Sequence, residues 1–258
     1  MTTFAEGTFT PAPGRGSLVG MLRAQAGLET RLALRNAEQV LLTLLIPAVL
    51  LVVLALVNVL PTPEPRVSWV FASMLALAVM SSAFTSQAIA LGFDRRYGAL
   101  RRLGATAIPR WLLVCGRLTA VGVVVVIQVV LLALLALLLG WSPAGARLDG
   151  VVLAVLLGAA AFGALGILLG GTLRAEITLA VANLVWFLLL LAGGIVVPVA
   201  ELPGPLSALA GWLPSGALAE ALRAALGAGQ FPPAGSLLVL AGWAVAAGLL
   251  AARTVRWR

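Results

Sequence analysis

The chain has 258 residues, of which 62% are hydrophobic and only 10% charged, and it carries a formal net charge of +8. Soluble domains devote about a quarter of their residues to charge, so this composition belongs in a bilayer. Lys and His are both absent and Cys115 is the only cysteine, which excludes a phosphate-loop lysine, a Schiff base, a histidine-based triad, an ordinary zinc site and an internal disulfide.

Residues 1–17 are rich in Thr, Pro and Gly and hold no apolar run, which predicts a disordered tail and no cleaved signal peptide. From 18 to 40, Leu18, Met21, Leu22, Leu28 and Leu32 recur at helical spacing with Arg23, Arg31 and Glu38 mainly opposite. That pattern predicts an amphipathic helix on the cytoplasmic face, either docking a partner or serving as a polar lead-in. Residues 41–258 form the membrane domain. Six stretches meet the roughly 20 apolar residues that a span needs: Leu41 to Leu60, Val67 to Leu91, Leu118 to Leu139, Val151 to Leu173, Ile177 to Val197 and Gly235 to Ala252. The predicted fold is therefore an all-α integral membrane protein with six transmembrane helices.

Fourteen arginines fall on one side of these spans and three (Arg66, Arg147 and Arg223) on the other. The positive-inside rule then places both termini in the cytoplasm. Because the arginines flank apolar runs, they read as topology signals rather than a nucleic-acid patch. Trp69, Trp141 and Trp212 are expected at the outer boundary, and Trp111 and Trp257 at the inner one.

The second span carries Ser81, Ser82, Thr85, Ser86 and Gln87. At α-helical spacing these make a polar stripe, either for helix packing or for a substrate-facing wall that Gln128, Asn183 and Trp186 of other spans could join. In the fourth span Gly166 and Gly170 have the small-xxx-small spacing that permits close helix approach, read first as packing within the subunit and second as dimerisation. The loop 92–117 is the most charged part of the chain yet keeps Leu100, Leu103 and Ile108. It is expected to form short helices, with Asp94 at a helix start and Gly98, Gly104 and Pro109 as breaks. Segment 198–234, with Pro198, Pro203 and Pro214, is too broken for a seventh span and too apolar for a free loop. Short helices dipping into the outer leaflet fit it, with Glu220 and Arg223 paired on one face.

The run Asp94 to Trp111, DRRYGALRRLGATAIPRW, resembles the acidic-Arg-x-x-Gly-x-Leu-x-x-Leu…Pro segment of the ATP-binding-cassette type-2 exporter permeases, closest to actinobacterial drug-export members. The likeness extends over essentially the whole chain, through Gly193, Gly194 and Pro198 after the fifth span and the later Leu202-Pro203, Leu213-Pro214 and Glu220-Ala221-Leu222-Arg223. Two positions depart from the family pattern: Asp94 replaces a Glu, and Ile108 precedes Pro109 where Thr or Ser is usual.

The resemblance implies that the loop is a cytoplasmic coupling helix, with Asp94, Arg95, Arg96, Gly98, Leu100, Arg101, Arg102, Leu103, Ile108, Pro109 and Arg110 facing an ATPase, and that segment 198–234 holds extracellular re-entrant helices. It further implies two separate ATPase chains binding ATP and Mg, no cofactor in this chain, and a second permease copy as homodimer or heterodimer. The residues agree, since no phosphate loop can be built without Lys and no intramembrane carboxylate offers a proton relay. The expected cargo is a hydrophobic or amphiphilic small molecule or lipid, moved outward across a bacterial plasma membrane. Polysaccharide or glycolipid export is the alternative within the class, less favoured at 6% aromatic residues. Outside it stand a passive channel or assembly factor, and a membrane enzyme for which clustered acid and base groups at membrane depth are lacking.

Overall fold

The computed structural model describes residues 16–57, 64–104, 108–197, 199–201 and 204–255, and within these not the side chains of 37–40, 42, 101, 103, 110 and 200. The predicted tail (through residue 15), the side chains of Arg101, Leu103 and Arg110, Pro198, Pro203 and Trp257 therefore lie outside the described residues.

All regular structure among the described residues is helical. The helices are α1 (Leu18–Arg35), α2 (Ala37–Leu56), α3 (Arg66–Met80), α4 (Gln87–Arg96), α5 (Ala99–Gly104), α6 (Arg110–Leu138), α7 (Leu148–Thr172), α8 (Ala175–Ala192), α9 (Gly204–Ala210), α10 (Pro214–Leu226) and α11 (Ala234–Thr254). A π-helical turn, Ser81–Ser86, joins α3 to α4, so Arg66–Arg96 is one rod of 31 residues. At 1.5 Å per residue it is about 45 Å long, more than the hydrocarbon core needs.

Among the described residues, five helical stretches are long and apolar enough to cross a membrane: Arg66–Arg96, Trp111–Leu138, Leu148–Thr172, Ala175–Ala192 and Ala234–Thr254. In the first predicted span, the described apolar helix is the shorter stretch Thr43–Leu56. The central position belongs to α3, whose residues 68–80 are all buried. This rod is also less apolar than the other four, with a mean hydropathy of 1.8 against 3.1 for Trp111–Leu138. Its serines would lose hydrogen bonds to lipid, so protein has to cover them. The covering is done by α2 and α6, by α7 and by α10, while α11 packs along α7 and α8 along α4.

Close approach of α7 depends on its glycines. A Cβ on Gly166 would lie 2.7 Å from the carbonyl oxygen of Phe84, and one on Gly170 would lie 2.4 Å from that of Ala88. The small-xxx-small pair thus serves packing inside the subunit, against the backbone of the π turn and α4.

Three local expectations are corrected. Asp94 sits in the last turn of α4, not at a helix start, because the helical rod continues unbroken to Arg96 and ends only at Gly98, whose φ is +70°. The fifth span stops at Ala192 rather than Val197, since Gly194 takes a φ of +66°. Trp69 and Trp141, 8% and 7% exposed, are covered by protein rather than offered to lipid as interfacial indoles would be.

Candidate functional site

Pro47 lies inside α2 and has no N–H for the carbonyl four residues earlier, that of Thr43. Gln128 of α6 supplies the missing donor: its Nε2 reaches the Thr43 oxygen at 3.0 Å, while its Oε1 accepts from Ser82 Oγ at 2.9 Å. One buried amide therefore ties α2, the π turn and α6 together. On the other side of the turn, Trp186 Nε1 of α8 donates to Ser81 Oγ at 3.0 Å, and Ser81 in turn donates to the Leu77 carbonyl. Ser86 Oγ donates to the Ser81 carbonyl at 3.2 Å, across the widened turn.

The π turn splits the expected polar stripe between two cavities. Ser81 and Thr85, with Asn183 and Trp186, line one of about 440 Å³ whose remaining wall is mostly apolar, from Ile46, Pro47, Leu77, Ile89 and Leu179. Among the described residues no ionisable side chain lines it. Thr85 Oγ1 is buried there without a partner. Ser82 and Gln87 instead line a second cavity of about 280 Å³ with Glu29, Asp94 and Arg117, and Ser86, Asn36 and Thr43 border both. Gln128, 2% exposed, lines neither and is spent on the two bonds above.

At the arginine-rich end, α1 lies on the start of α6 through a polar face. Gln25 is buried over Gly116, where a Cβ would stand 2.5 Å from Gln25 Cγ, and its Nε2 donates to Glu29 Oε1 at 2.9 Å. Arg117, 6% exposed, is ion-paired with Asp94 and lies 3.5 Å from Glu29. Burial raises the Glu29 carboxyl above the ordinary range, Arg117 opposes that shift, and Asp94 adds to it. Leu18, Leu28 and Leu32 of α1 are exposed.

The charged segment is largely braced against its own chain. Arg95 Nη1 donates to the carbonyls of Gly170 and Leu173 at 3.0 and 3.1 Å, capping the end of α7, and Arg96 pairs with Glu176. Leu100 is buried with Leu91, Ile167, Ala251 and Val255. Arg102 is exposed and donates to the Tyr97 carbonyl; Tyr97 (66% exposed) and Trp111 (53% exposed) lie open nearby in sequence. Ile108 is half-buried and Pro109 caps α6.

At the opposite end Glu220 and Arg223 interact electrostatically without a direct ion pair, and each hydrogen-bonds elsewhere. Arg223 donates to Ser73 Oγ and to the carbonyls of Gly194 and Ile195 at 2.9, 2.7 and 3.0 Å, and its guanidinium lies 4.2 Å from the Trp69 ring centroid. Glu220 accepts from Ser236 Oγ. Pro214 is the first residue of α10, a position that needs no N–H.

Residues 26–226 match the family model described as ABC-2 type transporter. The chain belongs to that family. It is also 26% identical over 203 residues, 76% of this chain and 82% of the relative, to "Putative transport permease YvfS" of Bacillus subtilis (strain 168). Members of the ABC-2 type family are membrane subunits that work with ABC ATPase subunits and are not themselves the catalytic ATPase, and this chain is accordingly a multi-pass membrane subunit of an ABC transporter.

Within this ABC-2 permease, sequence reasoning missed Glu29, Thr43, Pro47 and Arg117 as members of the polar centre. Pro47 four residues after Thr43 announces a carbonyl in need of a donor, and that signal was legible. Glu29 and Arg117 had none, since each reads alone as an ordinary flanking charge.

Proposed function

We propose that this permease is the transmembrane half of an exporter that moves a hydrophobic or amphiphilic small molecule, a drug, antibiotic or lipid, out of the cytoplasm or inner leaflet. Residues 41–60 complete a sixth span, both termini face the cytoplasm of a bacterial cell, and segment 198–234 dips into the outer leaflet. Two copies, or this chain and a related one, enclose the path, and two ATPase chains carrying Mg-ATP sit beneath. The observation that carries the cargo reading is the 440 Å³ cavity beside the π turn, apolar for most of its wall and, among the described residues, bare of charge, with Ser81, Thr85, Ser86, Asn183 and Trp186 as polar contacts. Ser82 and Gln87 face the adjoining space.

Coupling runs through the segment Asp94 to Arg110. Leu100 holds α5 against the subunit, Arg95 and Arg96 fasten α4 to the α7–α8 junction, and exposed Arg102 with Ile108 offers the face an ATPase grips, to which the family resemblance adds Arg101, Leu103 and Arg110. Nucleotide-driven closure of the ATPases then pushes α5, and the rod α3–α4 shifts the path between inward-open and outward-open states. The test is Arg102→Glu with Leu103→Asp, which leaves buried Leu100 in place. Loss of ATPase co-purification and of drug-stimulated hydrolysis in proteoliposomes is expected, and undiminished co-purification and hydrolysis would overturn the assignment.

A further inference from the structure

The smaller cavity holds more negative than positive charge. Glu29 of α1 and Asp94 of α4 both face the one guanidinium of Arg117 on α6, and among the described residues no other ionisable side chain lines the space. The side chains of Glu29 and Arg117 are 16% and 7% exposed, while Asp94, at 37%, marks the open mouth. Deeper in, Gln87 Oε1 is buried with no hydrogen-bond partner. Two carboxylates sharing one guanidinium, with an unused acceptor above them, leave a site short of one positive charge and one donor. Ala120, Val121 and Val124 form an apolar wall beside it.

We infer that this cavity binds an organic monocation through its protonated amine. The ammonium donates to Asp94, Glu29 and Gln87 Oε1, and the carbon skeleton lies along α6. Resting on the exporter reading above, this narrows the cargo to amphiphiles with one basic nitrogen. The ammonium occupies the 280 Å³ cavity and the apolar body passes Ser86 into the larger one, since Ser86, Asn36 and Thr43 border both.

Protons compete for the same carboxylate. Glu29, with its raised pKa, contributes stability to the docked α1 that is fully present below the ordinary glutamate value and lost as pH rises through the raised one. A bound cation compensates at the alkaline end, so preference for an amine grows with pH. Gln25 on α1, Asp94 on α4 and Arg117 on α6 are the described polar groups that face Glu29 from the packed elements.

The experiment measures binding of 4-phenylbutylamine and its uncharged counterpart 4-phenylbutanol to the permease purified with its ATPase, in detergent free of aminolipid. At about pH 8 the amine, still protonated, is expected to bind about tenfold more tightly than the alcohol. The ratio should fall toward one as pH drops into the carboxylate range, and Glu29→Gln and Asp94→Asn should each abolish most of it at about pH 8. Equal binding by the native protein, or a preference that survives both substitutions, would overturn the site; the native pH series decides even where a variant fails to fold. Added phosphatidylethanolamine separates two sources of the same ammonium chemistry, a competing lipid headgroup or a soluble amine. ATP hydrolysis is followed in parallel. A preparation lacking a hydrolysing partner speaks against the exporter reading, whereas a hydrolysing complex that binds both probes alike speaks against the amine site alone.

Discussion

Gln128 shows how one amide can be worth more than its own bonds. Truncating it takes the acceptor from the buried Ser82 hydroxyl and one donor from the half-buried Thr43 carbonyl, and an orphaned buried group costs about 1–3 kcal/mol. Gln128→Leu is therefore expected to destabilise the permease by about 1–3 kcal/mol in a denaturant titration in detergent. Pro47→Ala restores the N–H that α2 lacks, so the same Gln128→Leu change should cost roughly half as much in that background. Equal costs in the two backgrounds would show that Pro47 does not create the need for Gln128. Arg223 makes the same point with a charge: three hydrogen bonds and a ring face surround it, and its nearest acidic residue in sequence, Glu220, binds elsewhere.

Among the elements, α7 is the one most constrained by size. A Cβ at Gly170 meets backbone, which cannot swing aside, while a Cβ at Gly122 on α6 meets nothing within 4 Å. Gly170→Ala should lower stability by about 1–3 kcal/mol. Gly122→Ala should be neutral or raise it by up to about 1 kcal/mol, through helix propensity alone. A thermal melt of the two variants side by side checks this, and equal behaviour would mean that α7 does not press on the α4 backbone. The amphipathic pattern of α1 was legible, but its orientation was not. Leucine spacing pointed to an apolar docking face, whereas the protein-facing side is Gln25 and Glu29, because a buried arginine on α6 rewards a polar contact there more than an apolar one.

At the scale of the whole molecule, the proposed topology can be checked directly. With Cys115→Ala as background, Ser142→Cys, exposed between α6 and α7, should react with a membrane-impermeant maleimide in intact cells. Thr172→Cys, exposed at the other end of α7, should react only after lysis, and the reverse labelling would invert the orientation. Composition, hydropathy and the family-like run from Asp94 to Trp111 were enough to establish a helical, multi-pass ABC-2 subunit, because a bilayer demands long apolar helices and these are local in sequence. Tertiary structure alone decided that the polar stripe divides at a π turn and that Leu100 turns inward. It also decided that Glu29, Asp94 and Arg117 converge on one cavity. Those outcomes depend on which helices meet and at what rotation, and neither quantity is written in the periodicity of any single segment.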